Sequence, residues 1–285
     1  MAESPELRAG FVGLGEIGGP MARNIIDAGY PTTLWARREA TLQPFVGTGY
    51  RRAADLVDLG RSSDVIGVCV FDDADVREVT LGKFGLLSGM APSSVIVMHS
   101  TISPAVVIEL ARSAAEKGVA VLDAPVSGGR LRAIEGTLTM MVGGNHAAFE
   151  KALPVLRACG RSIQHLGPLG SGQKMKVLNN VLGFANLRMA ALAIETGREL
   201  GLDDHAMIAS LQSASGASFA LDGLVNHLLT SPETARHAVR FIEKDARIFK
   251  DICAAAGIMR STLDQLAEES VDFVRVLGQR EDQPS

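Results

Sequence analysis

The chain has 285 residues, a formal net charge of -4 and an isoelectric point near 5.9, so it carries no broad positive field, which argues against binding to a nucleic-acid backbone or an acidic membrane. Hydrophobic residues make up 47% of it and aromatics 5%, with 30 glycines, a balance that favours helices packed on a sheet over an aromatic-rich sandwich. Its three cysteines, Cys69, Cys159 and Cys253, are odd in number and far apart, which argues against a disulfide or zinc framework and fits a reducing compartment.

The opening stretch MAESPELRAG is polar, and no apolar run of about 18 residues is clear of both glycine and charge, so a cytoplasmic protein without a membrane span is expected. From residue 10 to about residue 166, short apolar runs alternate with helix-like segments. GFVGL, TTLWA, DVIGVCV, SSVIVM, VAVLDAPV, LTMMVGG and SIQHLG are the predicted strands; their rhythm predicts βαβ units and a mostly parallel sheet. Beyond Gly172 the pattern turns to long segments of helical period, broken by GLDD, by SPET and by Gly257.

The first predicted strand runs into FVGLGEIGGPMARNI, where Gly13, Gly15 and Gly18 stand in the GxGxxG spacing with a strand before and a helix after. In that setting the first glycine permits a tight turn, the second lets the backbone approach a pyrophosphate, and the third allows close helix-to-strand packing. Leu14, Glu16 and Ile17 complete the turn around an anion at the helix N-terminus. A glycine-rich turn without a ligand is the alternative, and the βαβ rhythm that follows weighs against it. The fold class is therefore α/β: a Rossmann-type dinucleotide-binding domain over residues 1–168, then an all-helical domain over 169–285 for substrate binding and oligomerisation.

At the end of the second strand, where an NAD site places a carboxylate for the ribose 2′-hydroxyl, the chain reads TLWARRE. Arg37 and Arg38 can fork two guanidiniums onto a 2′-phosphate, so NADP is the expected cofactor. NAD stays open through Glu39, and a merely solvated helix start is the other reading of the arginines. After the third predicted strand, DVIGVCV, Val70 and Phe71 are placed for backbone contact with the cofactor, and Asp72 and Asp73 read as helix caps. His99 ends a strand on the ligand side of the sheet, either satisfied by its neighbours or lining a pocket. The other histidines show no metal-ligand spacing, and no metal site is expected. Met140 and Met141 read as core strand, and Glu195 as a structural hydrogen-bonding residue.

The helical region opens with GSGQKMKVLNN, residues 170–180, ahead of the apolar VLGFANLRMAALAI. A helix from about 171 to 200 would be roughly 45 Å long. Apolar on most of its circumference, it is expected to be buried by other helices and by a second subunit. Lys176 and Asn180 are four apart and share a helix face, while Lys174 and Asn179 point elsewhere. A lysine near a helix N-terminus sits against the dipole, and a closed site there would lower its pKa toward the range of a general acid. On residue types alone, a solvated helix start stays open.

Four segments taken together resemble the β-hydroxyacid dehydrogenases, the family that includes 3-hydroxyisobutyrate dehydrogenase and the glyoxylate/succinic semialdehyde and tartronate semialdehyde reductases. FVGLGEIGGPMARNI looks like the family's cofactor motif, DAPVSGG (123–129) its substrate motif, GSGQKMKVLNN its catalytic motif and IEKDA (242–246) its late lysine-aspartate motif. The resemblance implies Lys176 as the catalytic residue with Asn180 beside it, and Ser127, Gly128 and Gly129 holding a substrate carboxylate. It puts Thr101 of STISP near the nicotinamide and lets Lys244 close over cofactor and substrate. It implies a small carboxylate substrate and a homodimer or homotetramer.

Departures bear on the substrate. VMHST has His99 where many relatives carry an acid, the late motif reads KDA in place of KDL, and the segment FALDGLVNHLLTSPETARHAVRF diverges from the 3-hydroxyisobutyrate enzymes. Imine reductases share the plan but generally have Asp or Tyr at the catalytic-lysine position, so Lys176 counts against that alternative. A non-catalytic cofactor-binding relative would tend to lack the lysine, and a 6-phosphogluconate dehydrogenase would be larger at its C-terminus. The tail QREDQPS reads as disordered.

Overall fold

The computed structural model describes residues 7–258 and 262–280 and forms two compact units, the first ending at Lys176 and the second beginning at Val177. The tail reading falls mostly outside the described residues. In the first unit the elements run β1 (Ala9–Val12), α1 (Gly18–Asp27), β2 (Thr32–Trp35), β3 (Arg51–Arg52), α2 (Leu56–Arg61), β4 (Val65–Val68), α3 (Asp73–Leu81), β5 (Val95–Met98), α4 (Pro104–Ala115), β6 (Ala120–Asp123), β7 (Val126–Ser127), α5 (Gly129–Ile134), β8 (Leu138–Gly144), α6 (His146–Leu156) and β9 (Gly160–His165). The sheet order is β3-β2-β1-β4-β5-β6-β8-β7, with β9 beside β8.

Pairing is parallel from β3 to β6, with Ala9 opposite both Thr32 and Val65. β8 then runs antiparallel to β6 and β7, and β9 lies parallel to β8. The central strands AGFV, VIGV and VIVM are buried along their whole length, as a parallel sheet covered on both faces requires. Successive side chains feed opposite layers: Phe11, Val65, Val97 and Leu122 join one core, and Val12, Ile66, Ile96 and Val121 the other. Met140 and Met141 are buried in strand β8. Sequence periodicity does not reveal β3, two exposed arginines without an apolar run, or the break that makes β7 a strand separate from β6.

α7 (Ser171–Glu199) begins in the first unit and continues into the second, which is helical among its described residues: α8 (Asp204–Ser213), α9 (Phe219–Gly223), α10 (Pro232–Ala255) and α11 (Thr262–Gly278). The breaks read from GLDD and SPET are caps. Asp203 accepts the Ala206 N–H to start α8, and Ser231 accepts the Thr234 N–H ahead of Pro232 to start α10. A π-helical turn, Leu224–Leu228, follows α9.

The second unit's core packs Leu187, Ala191 and Ile194 of α7 against Met207, Leu221, Ile242 and Val274. A second cluster joins Val177 and Val181 to Ile248, Phe249 and Ala267. α7 is long and apolar enough to cross a membrane by length and composition alone, with a third of that apolar window buried. Within the chain its burial is one-sided: Leu182 and Met189 are 53% and 55% exposed.

Candidate active site

The three motif glycines do different work. Gly13 has φ +90°, and a Cβ there would lie 2.2 Å from the Cys69 carbonyl oxygen; only glycine makes this turn. A Cβ on Gly18 would lie 2.0 Å from the Gly13 carbonyl oxygen, whereas one on Gly15 meets no atom within 4 Å. Gly15 therefore faces open space, and no side chain caps the first turn of α1. An exposed glycine before an uncapped ten-residue helix fits a pyrophosphate, with backbone approach at Gly15 and the helix dipole behind it. Glu16 is exposed beside it, Ile17 is half-buried, and Leu14 is buried in the core, which leaves Leu14 only its backbone to offer.

Arg37 and Arg38 are both exposed past the end of β2. Arg37 is not simply solvated: its Nη2 lies 3.4 Å from Asp75 Oδ1 and 3.4 Å from Glu78 Oε2, both on α3. Glu39, the carboxylate that could have served an NAD ribose, is drawn 2.6 Å from Arg52 Nη1. Past β4, Val70 donates its N–H to Ser100 Oγ at 2.9 Å, so any contact of Val70 with a cofactor falls to its carbonyl or side chain. Phe71 is 38% exposed. Asp72 caps α3 as read from sequence, accepting the Asp75 N–H. Asp73 instead accepts the Ser103 N–H at 3.1 Å, tying α3 to the STISP loop.

A buried polar network in the first unit joins the three segments read as substrate, nicotinamide and catalytic motifs. Asp123, at the end of β6 and fully buried, accepts the Gly170 N–H through Oδ1 and the Gln173 N–H through Oδ2, each at 2.8 Å. Its carboxylate thereby caps the start of α7 and offers an anion to the positive helix end. Burial pushes its pKa up, and the N–H donors partly offset this. The packing there is tight: a Cβ on Gly172 would lie 2.1 Å from the Met141 carbonyl oxygen.

Gln173, also fully buried, brackets Thr101. Its Oε1 accepts the Ile102 N–H at 3.1 Å and its Nε2 donates to the Ser100 carbonyl at 2.8 Å. Lys176 lies three residues, just under one turn, beyond Gln173 and is half-buried, while Lys174 is exposed. On the DAPVSGG side, Ser127 ends β7, and Gly128 and Gly129 take φ of +133° and +70°, turning the backbone out of the strand.

In the second unit, Asn180 donates its amide to Asp245 Oδ2 at 2.6 Å and accepts from Asn179 at 3.1 Å. Lys244 Nζ lies 3.6 Å from Asp245 Oδ1. The late motif thus contributes two residues to this group, and Asp245, 5% exposed, is the one that fixes the orientation of Asn180.

His99 resolves to the satisfied alternative. It is 5% exposed, its Nδ1 lies 2.9 Å from the Ala124 carbonyl, and its ring stacks on Phe11 at 5.9 Å; desolvation pushes its pKa down to about 4. Glu195 meets Arg188 at 3.7 Å on α7. His146 lies one turn from Glu150, at 3.6 Å on an exposed face, and among the described residues no three His, Cys, Asp or Glu side chains group as metal ligands do. Asp123, Gln173, Ser100 and Asp245 receive no role of their own in motif reading, and Asp73, read as a cap of its own helix, ties to the Ser103 N–H instead. The signal that could find Asp123 is a carboxylate closing an apolar strand, which a buried sheet tolerates only when the group is hydrogen-bonded.

Residues 8–167 match the family described as the NAD binding domain of 6-phosphogluconate dehydrogenase, and residues 170–285 match that described as the NAD-binding domain of NADP-dependent 3-hydroxyisobutyrate dehydrogenase. A 2-(hydroxymethyl)glutarate dehydrogenase from Eubacterium barkeri is 35% identical over 229 residues, 80% of this chain and 76% of that protein. An NAD-dependent L-serine dehydrogenase from Pseudomonas aeruginosa is 37% identical over 212 residues, 74% of this chain and 71% of that one. The crystal structure of a 3-hydroxyisobutyrate dehydrogenase from Salmonella typhimurium matches with a TM-score of 0.82 at 26% identity, covering 95% of this chain and 93% of that one.

Proposed function

The chain belongs to the NAD(P)-dependent β-hydroxyacid dehydrogenases, and we propose that Lys176 is its general acid and base. The reaction is a reversible hydride transfer between a nicotinamide cofactor, NADP in preference to NAD, and a small hydroxyacid or semialdehyde that bears a carboxylate. What supports the reading most is that Asp123 and Gln173 bind the first turn of α7 to the DAPVSGG and STISP segments through buried hydrogen bonds. That fixes the backbone leading to Lys176 against the segments assigned to substrate and nicotinamide.

When bound, the nicotinamide supplies or takes the hydride at its C4. In reduction, negative charge grows on the substrate carbonyl oxygen, and the Lys176 ammonium stabilises it and gives up a proton to it. In oxidation the neutral amine takes the hydroxyl proton back. Ser127, Gly128 and Gly129 hold the substrate carboxylate by hydroxyl and N–H groups. Asn180, with its amide oriented by Asp245, keeps one amide hydrogen for substrate, and Lys244 supplies a second cation. Arg37 and Arg38 receive the 2′-phosphate, and Thr101 lies by the nicotinamide. Leu182 and Met189, apolar and exposed on α7, support self-association as a homodimer or homotetramer.

The named relatives act on hydroxyacids of different size, so the substrate is decided by assay. NADPH and NADH oxidation are followed with glyoxylate, succinic, tartronate and methylmalonate semialdehydes and a cyclic imine, and the reverse reaction with L-serine. NADPH-linked turnover of a carboxylate-bearing aldehyde is the expected result. Turnover of the imine alone would overturn the reading, and a clear NADH preference would remove the role of Arg37 and Arg38.

A further inference from the structure

We propose that Asp75 and Glu78 are specificity-determining residues that set how far this enzyme favours NADP over NAD, by contending with the 2′-phosphate for the Arg37 guanidinium. The inference rests on the assignment of Arg37 to the adenosine end of the cofactor. The sheet order places β2 and β4 on either side of β1, and a dinucleotide lies outside the carboxyl ends of such strands. Arg37 follows β2 and α3 follows β4, so the Arg37 bridge to α3 spans the end of β1, where the glycine turn opens.

The bridge is built to give way. A charge-assisted guanidinium–carboxylate bond runs at about 2.7–2.9 Å, and Arg77 makes such a bond to Glu109 from the same helix, with a shortest approach of 2.8 Å. Arg37 instead shares one nitrogen between two carboxylates at 3.4 Å each, with its side chain 65% exposed and that of Glu78 69%. A guanidinium held so loosely can turn onto a phosphate, but the phosphate must then sit beside two carboxylates that share its cation. The same two acids can accept a ribose hydroxyl, the role that Glu39 does not fill while it is drawn to Arg52. Both effects act in one direction: the acids weaken NADP and assist NAD.

The test uses the whole enzyme and two adenosine fragments, 2′,5′-ADP and 5′-ADP, titrated calorimetrically at fixed ionic strength. Glu78→Gln and Asp75→Asn are each expected to raise the ratio of 2′,5′-ADP to 5′-ADP affinity by about two- to fivefold, the range an exposed ion pair supports. Glu109→Gln, which removes the same charge from a pair away from Arg37, is expected to leave the ratio unchanged. An unchanged or lower ratio in Glu78→Gln overturns the proposal, as does an equal rise in Glu109→Gln. A wild-type ratio at or below one would instead remove the NADP preference, while a rise on neutralising Glu78 would still uphold the part played by the acids.

Discussion

Asp123 accepts the backbone N–H of Gln173 at 2.8 Å from a fully buried carboxylate, so the strand that leads into DAPVSGG also fixes the helix that carries Lys176. Asparagine at 123 can accept one N–H but turns a donor toward the other, leaving a buried N–H without an acceptor. Asp123→Asn is expected to lose about 1–3 kcal/mol of stability and to lower kcat more than cofactor affinity. Thermal unfolding and steady-state kinetics read both, and an unchanged Tm would show that the two bonds are dispensable.

Gln173 holds the chain on both sides of Thr101. Gln173→Leu keeps the volume and strands the Ser100 carbonyl and the Ile102 N–H, at about 1–3 kcal/mol for each group left unpaired. If Thr101 lies by the nicotinamide, the damage is local to that end of the cofactor. NADPH affinity is then expected to fall while 5′-ADP affinity stays within about twofold of wild type, since a factor of two is about 0.4 kcal/mol. Equal loss for both ligands would mean that the loop supports the fold and not the nicotinamide end.

The glycine turn separates binding from folding. A methyl at Gly15 meets no protein atom, whereas one at Gly18 meets the Gly13 carbonyl. Gly15→Ala is expected to keep the wild-type Tm and lose about tenfold or more in cofactor affinity, because the methyl enters the space a pyrophosphate would use. Gly18→Ala is expected to cost about 1–3 kcal/mol of stability through overpacking. Tight cofactor binding by Gly15→Ala would move the pyrophosphate elsewhere.

His99 makes stability depend on pH in acid. Its folded pKa is lowered to about 4 from an ordinary 6.5, so below 6.5 the unfolded chain takes up the proton first and stability falls as pH drops toward 4. The full loss is about 3 kcal/mol. Asp123 runs the other way, because a raised carboxyl pKa costs stability as pH rises through its own window. Comparing wild type with His99→Gln isolates the histidine: the variant is expected to show a flatter urea-unfolding midpoint between pH 6.5 and pH 4. Parallel pH curves for the two proteins would locate the acid lability in other groups.

The large elements were legible in sequence because parallel strands buried on both faces are continuous apolar runs, and because the helical breaks carry their own caps, Asp203 and Ser231. β3 was not, since Arg51 and Arg52 pair with β2 without burying a side chain. Which faces of α7 its own chain covers was not legible, because composition reports how apolar a helix is and not where its neighbours lie. At the candidate site, motif spacing brought out the residues proposed to touch ligand. The buried acceptors behind them, Asp123, Gln173 and Asp245, act across 47 to 71 positions of chain and have no local spacing to reveal them. His99 was ambiguous for the same reason, because its acceptor, the Ala124 carbonyl, lies 25 residues on.

The central claim is that Lys176 moves the proton, and the Lys176→Ala variant tests it most directly when kcat and cofactor dissociation constant are measured on the same preparation. The account predicts that kcat falls by at least about 10²-fold, the lower end of what a positioned acid contributes, while NADPH affinity stays within about twofold. A variant that turns over its best substrate at the wild-type rate would contradict it.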